Sequence, residues 1–166
     1  MIFDIQNKAK GIYSDIGYPL KKDEGWQYTN FDCFSKCVAT NKEIDFSYNE
    51  SLYINGAINI VIMNGQIVKG LDTKIEGISI SQISKDDSNQ SLGKFTQISN
   101  FTESGVIAHN TSEFFHALYI SIDKTFDSNT PINIINISKD LNSDEVVFPR
   151  FYFHFKDSSV SKFFIQ

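Results

Sequence analysis

The sequence predicts an α+β fold that is mainly β, with short helices near the N-terminus and strands through the remainder. Three observations carry this prediction. Apolar residues recur at helical spacing between positions 2 and 16, an Asn64-Gly65 dipeptide divides a run of β-branched residues, and the last third breaks into short apolar stretches separated by Asp, Asn and Ser. At 166 residues and 41% hydrophobic composition, the chain is the size of one ordinary domain with its own core.

In the first helix Ile5, Ala9, Ile12, Tyr13 and Ile16 repeat at helical spacing, and Gly17 with Pro19 supplies the stop. Gly11 weakens this helix by about 1 kcal/mol relative to alanine. A second short helix is expected from Phe31 to Val38. Residues 1–50 thus read as an N-terminal helical segment with a charged loop carrying the single tryptophan, Trp26, and residues 51–166 as a β-rich domain.

From Leu52 the period changes to that of strands. In "INIVIMNGQIV" the Asn64-Gly65 pair accepts positive φ at both central positions of a type I′ turn, which predicts a hairpin. "GISISQI" alternates Ile78 and Ile80 against Ser79 and Ser81, the pattern of a half-buried strand. The polar residues 84–100 read as a loop. Asn110 followed by Glu113 resembles a capping box and predicts one more helix near 111–120, with Phe114, Phe115, Leu118 and Tyr119 on its apolar side.

Three strands then follow, in "INIINIS", "VVFPRFYFHF" and "SKFFIQ". Phe151, Phe153 and Phe155 point one way and Tyr152 and His154 the other. Pro149 cannot donate to a ladder, so the middle strand starts after it. Short strands without intervening helices suit either a sandwich or the coils of a β-solenoid.

Charge narrows the function classes. The net charge is -5 and Arg150 is the only arginine, so no basic stripe follows a phosphate backbone and no nucleic-acid partner is expected. There is no apolar run of spanning length, and Asp4 stands where a signal peptide would be basic and then apolar. No membrane association and a cytoplasmic location are therefore expected.

Catalytic and metal signatures are weak throughout. Cys33 and Cys37 stand four apart, a spacing that stacks two thiols on a helix, but His109, His116 and His154 lie far downstream and supply no matching pair. Reduced, partly buried thiols are the expectation. "EFFH" puts Glu113 and His116 at i and i+3, as in helical di-iron sites, yet the facing ligands such sites need are missing. Neither a Ser/His/Asp order nor a Gly-rich phosphate loop is present. The reading is of no enzyme, with no catalytic, cofactor-binding or metal residue assigned and no cofactor. A lone Trp26 would ordinarily be a core or lid residue.

The stretch around Trp26, "GYPLKKDEGWQYT", resembles a segment near the start of SufB/SufD-family iron-sulfur cluster assembly proteins, most of all SufD. The matching positions are Gly17, Pro19, Glu24, Trp26, Tyr28 and Thr29. "INIVIMNGQIVKGLD" is similar to the family's strand-Asn-Gly-strand element, with Asp72 in place of Ser, and "FHALY" to its Phe-x-Ala-Leu-Asn, with Tyr119 in place of Asn. "TPINIINIS" and "FPRFYFHFKDSSVSKFFIQ" resemble the strands with which the family's β-helix begins. The segment "ISIDKTFDSNT" departs from the pattern, because it lacks the family's Asp-Gly turn.

The resemblance implies a fold in which short N-terminal helices lead into the first coils of a right-handed parallel β-helix, truncated at Gln166. It also implies a non-enzymatic scaffold or interaction component of SUF-type cluster assembly, with SufB-like and SufC-like partners. In the family, the residues implicated in building the cluster and the region that docks SufC lie past the matched segments, so no such residue carries over. The alternative is a small β-rich binding domain that recognises a ligand or partner through exposed aromatics. Further expectations are that Trp26 and Tyr28 anchor the N-terminal segment on the β-rich body, that the isolated chain holds no cluster, and that residues 151–166 mediate a homodimer.

Overall fold

A computed structural model describes residues 2–42, 49–84 and 102–166. Its helices are α1 (Ile2–Ile16) and α2 (Gly105–Glu113). The strands are β1 (Val38–Ala39), β2 (Ile58–Met63), β3 (Gln66–Lys69), β4 (Ile78–Ser84), β5 (His116–Ile122), β6 (Ile132–Ile137), β7 (Glu145–Val146), β8 (Phe151–Phe155) and β9 (Phe163–Ile165). The fold is therefore α+β and mostly strand. Among the described residues no helix is long and apolar enough to cross a membrane. Apart from Ser84, which ends β4, the predicted loop at 84–100 lies outside the described residues.

The chain divides into two compact units, each assembled from three separate segments. The first takes Met1–Thr40, Lys85–Phe114 and Leu141–Phe148; the second takes Asn41–Ser84, Phe115–Asp140 and Pro149–Gln166.

In the first unit α1 packs on α2 through two alanines, Ala9 and Ala108, both fully buried and surrounded by Ile5, Ile12 and Tyr13. Small side chains at the contact let the two backbones approach closely. The approach is tightest where α1 ends and α2 begins: a Cβ on Gly105 would overlap the Gly17 carbonyl, so only glycine fits at 105. Gly17 itself has φ 62°, and its N–H donates to the Tyr13 carbonyl at 2.8 Å, the left-handed ending that the sequence predicts for α1. Gln6, buried on α1, donates from Nε2 to the Phe114 carbonyl at 2.8 Å, next to the end of α2. The unit also holds the parallel pair β1 and β7.

Two helix expectations are corrected here. The predicted helix over 31–38 reduces to a 3-10 turn at Phe34–Lys36 followed by β1. The helix predicted near 111–120 instead spans Gly105–Glu113, capped by the Ser104 hydroxyl, which accepts from the Ile107 N–H at 3.5 Å. Asn110 and Glu113 thus lie in the closing turns of α2. Phe114 is already extended, and residues 116–122 form β5, hydrogen-bonded to strands on both sides. That pairing overrides the helical spacing of Phe114, Phe115, Leu118 and Tyr119.

The second unit contains a four-stranded sheet in the order β3-β2-β6-β9 and a three-stranded sheet in the order β4-β5-β8. β2 and β3 form the predicted antiparallel hairpin, and its turn residues Asn64 and Gly65 have φ of 47° and 82°. The pairs β2 with β6, β6 with β9 and β5 with β8 are parallel, whereas β4 with β5 is antiparallel. Alternate residues of both sheets build one core: Ile58, Ile60 and Ile62 of β2, Leu118, Ile120 and Ile122 of β5, and Ile132 and Ile134 of β6, with Phe126. Phe151 and Phe163 pack against it from β8 and β9.

On the other side of β2 and β6 the register brings Asn59 opposite Asn133. Asn133 is wholly buried, and its amide nitrogen donates to Asn59 Oδ1 at 2.8 Å and to the Leu52 carbonyl at 3.0 Å. Gln166 extends the row by donating to Asn133 Oδ1 at 2.8 Å. The amides satisfy one another inside the protein, where an unpaired polar group would be costly.

Candidate functional site

The side chains of greatest chemical interest in the first unit gather around the turn that leaves α1. Because Gly17 reverses the chain, Tyr18 is turned toward α2, and its hydroxyl meets Nδ1 of His109 at 2.5 Å. The imidazole lies flat on Tyr13, with ring centroids 4.2 Å apart and planes 7° from parallel, and it also touches Phe148. Tyr18 stacks on Phe31 at 4.9 Å, and Phe31 in turn contacts Trp26 at 5.3 Å.

Burial lowers the His109 pKa, with Glu113 opposing the shift, and so keeps the imidazole neutral. Burial, followed by Tyr13, Cys37 and Cys33, pushes Tyr18 up to about 12. Both shifts favour an uncharged pair in which the phenol donates to Nδ1.

Beside this stack lies a cavity of about 420 Å³ lined by Ile16 to Pro19, Asp23, Glu24, Trp26 and Glu103 to Gly105. The loop segment that forms one wall is held by Asp23 through side chain and backbone: the Leu20 N–H donates to Asp23 Oδ2 at 2.7 Å and the Trp26 N–H to the Asp23 carbonyl at 3.1 Å. Trp26 remains 36% exposed and Tyr28 is fully exposed. The expected pair of buried anchors is therefore corrected, because a loop rich in Lys, Asp and Glu stays hydrated and leaves its aromatics at the surface.

The other residues singled out by the sequence are placed separately. Cys33 and Cys37 are free thiols flanking the 3-10 turn, and Cys37 Sγ donates to the Cys33 carbonyl at 3.0 Å. Glu113 ends α2 and His116 opens β5, so the helical i, i+3 pair does not form. His116 Nδ1 instead meets Ser84 Oγ at 3.1 Å. His154 Nδ1 meets the Tyr119 hydroxyl at 3.0 Å across the parallel strands β5 and β8. Arg150 is buried with its guanidinium over the Tyr152 ring. Among the described residues no three His, Cys, Asp or Glu side chains are grouped to hold a metal ion.

Sequence reasoning drew attention to Trp26 but missed Glu103 and Gly105, which share its cavity, and His109, which meets Tyr18. Local patterning gives no sign of them, since they reach the loop through helix packing. The Gly17 and Gly105 pair is the one signal that hints at a close approach. No family model matches the chain, and no curated protein matches it either.

Proposed function

We propose that the chain is a non-enzymatic scaffold component of SUF-type iron-sulfur cluster assembly, similar to the N-terminal part of SufD, with its second unit winding as the first coils of a right-handed parallel β-helix. The observation that carries this reading is the pairing of β5 with β8 and β6 with β9. Two consecutive strands in different sheets are each followed, roughly thirty residues later, by a parallel partner in the same sheet. That repeat supports a solenoid reading, as does the buried amide pair of Asn59 and Asn133, which stand opposite each other on β2 and β6.

β8 and β9 are each the last strand of their sheet among the described residues, and they leave Phe153, Phe155, Phe164 and Ile165 exposed. Edges of this kind extend by adding strands, from a SufB-like protein or from a second copy of the chain. The test is size-exclusion chromatography of the purified chain mixed with a SufB-like protein and a SufC-like ATPase. Co-elution with either is expected; three separate peaks would overturn the assignment.

The exposed phenylalanines also favour a second reading, a small β-rich binding domain for an unrelated partner. In that case the chain elutes away from both proteins.

A further inference from the structure

The cavity beside Trp26 is carved at the meeting point of two helix ends. Ile16 and Gly17 bring the C-terminal end of α1 to its wall, and Ser104 and Gly105 bring the N-terminal start of α2. The two end charges oppose each other. Each end carries one capping bond, the Gly17 N–H to the Tyr13 carbonyl and the Ile107 N–H to the Ser104 hydroxyl, and the last turn of α1 has no basic residue. Asp23, Glu24 and Glu103 supply three carboxylates, and among the described lining residues there is no lysine or arginine. The three carboxylates make this wall electronegative.

Its shape specifies more than charge. Trp26 offers an indole supported by Phe31 and still 36% exposed, while Pro19 and Ile16 supply apolar wall. A planar cation on an apolar stem matches all three features, because a guanidinium stacks on indole, forks onto carboxylates and carries methylenes that lie along apolar surface.

We propose that this cavity is a docking pocket for an arginine side chain carried on a basic segment of a partner protein. The proposal rests on the first unit alone and stands whether or not the chain works in cluster assembly. The arginine stem enters along Pro19 and Ile16, its guanidinium lies over Trp26, and Glu24 and Glu103 accept its hydrogen bonds. The Asp23 carboxylate keeps its bond to the Leu20 N–H and holds the wall in place.

Trp26 is the only tryptophan in the chain, so its emission reports occupancy of the pocket directly. The purified chain is titrated with an acetylated, amidated Gly-Arg-Arg-Gly peptide and with its lysine and glutamate counterparts. The expected result is a saturable change with the arginine peptide, a weaker one with lysine and none with glutamate. In the double variant Glu24→Gln, Glu103→Gln, affinity for the arginine peptide falls about tenfold while the melting curve is unchanged. Retained affinity in the double variant, an equal response to lysine or glutamate, or no saturable change would each overturn the proposal. Should the double variant fail to fold, Trp26→Phe keeps the test open through calorimetry, since a smaller stacking surface still lowers affinity if the pocket is the site, and unchanged affinity rejects it.

Discussion

The hydroxyl of Tyr18 and Nδ1 of His109 meet at 2.5 Å, tying the turn after α1 to the middle of α2 through a bond between two groups that burial keeps uncharged. Tyr13 lies flat on the same imidazole, so His109 is held by a ring contact and a hydrogen bond at once.

This pair makes the first unit sensitive to acid. The folded state lowers the His109 pKa below the unfolded value near 6.5, so below that pH the unfolded chain binds the extra proton and gains on the folded one. The contribution of His109 is complete above about pH 6.5 and is lost as pH falls through that value toward the folded pKa. Denaturant unfolding followed by Trp26 emission at pH 7.5 and pH 5 should show a lower midpoint in acid, and His109→Gln should shrink the difference. An equal difference in the variant would show that other groups set it.

Tyr18 has the opposite sign. Its pKa is raised to about 12, so its contribution is complete below about pH 10 and is lost between pH 10 and 12 as the unfolded phenol ionises first. Tyr18→Phe should unfold more readily at neutral pH, by about 1 kcal/mol for the lost bond, and should lose less of its stability on going from pH 9 to pH 11.

Two glycine substitutions should move stability in opposite directions. Gly105→Ala forces a Cβ into the Gly17 carbonyl and should destabilise by about 1 to 3 kcal/mol. Gly11 is exposed within α1 and has open space around its Cβ direction, so Gly11→Ala should stabilise by about 0.5 to 1 kcal/mol. Thermal melts of the two variants decide the matter, and a shared direction would contradict the helix contact described for the first unit.

The elements that local rules specify were legible in the sequence. α1 followed from its apolar spacing and its Gly17 stop, the β2 and β3 hairpin from Asn64-Gly65, and β4, β6, β8 and β9 from alternation or β-branched runs. Residues 116–122 were misread because Leu118 and Tyr119 fall at helical spacing from Phe114 and Phe115, while the strand state is imposed by β4 and β8, which are remote in sequence. The site was half visible for the same reason. Trp26 and its charged loop stand out locally, but Glu103 and Gly105 reach that loop only because Ala9 and Ala108 let two helices touch.

The amide row in the second unit should be a stability determinant. Asn133→Ala removes a donor to Asn59 and Leu52 and leaves Gln166 Nε2 with the Leu52 carbonyl as its acceptor, so the expected loss is about 1 to 3 kcal/mol. Urea unfolding measures it. A variant as stable as the parent would mean that water replaces the missing amide without cost.

Trp26→Ala should have a modest effect on stability. A buried tryptophan would cost about 3 to 5 kcal/mol, but this one is 36% exposed and touches Phe31 from the surface, so about 1 kcal/mol is expected. A drop of many degrees in the melting temperature would show that the indole supports more than its own loop.

The composite make-up of the two units governs when they are able to fold. Gln6 bonds Phe114 across 108 residues of chain and Asn59 bonds Asn133 across 74, so the closing contacts of both units are remote, which slows folding relative to a protein built from neighbouring contacts. During synthesis the first unit lacks a segment until Phe148 has emerged, and the second until β8 and β9 have followed it. The isoleucines of β2, made early, have no parallel partner until β6 has emerged, so their apolar strand stays open over that stretch of synthesis.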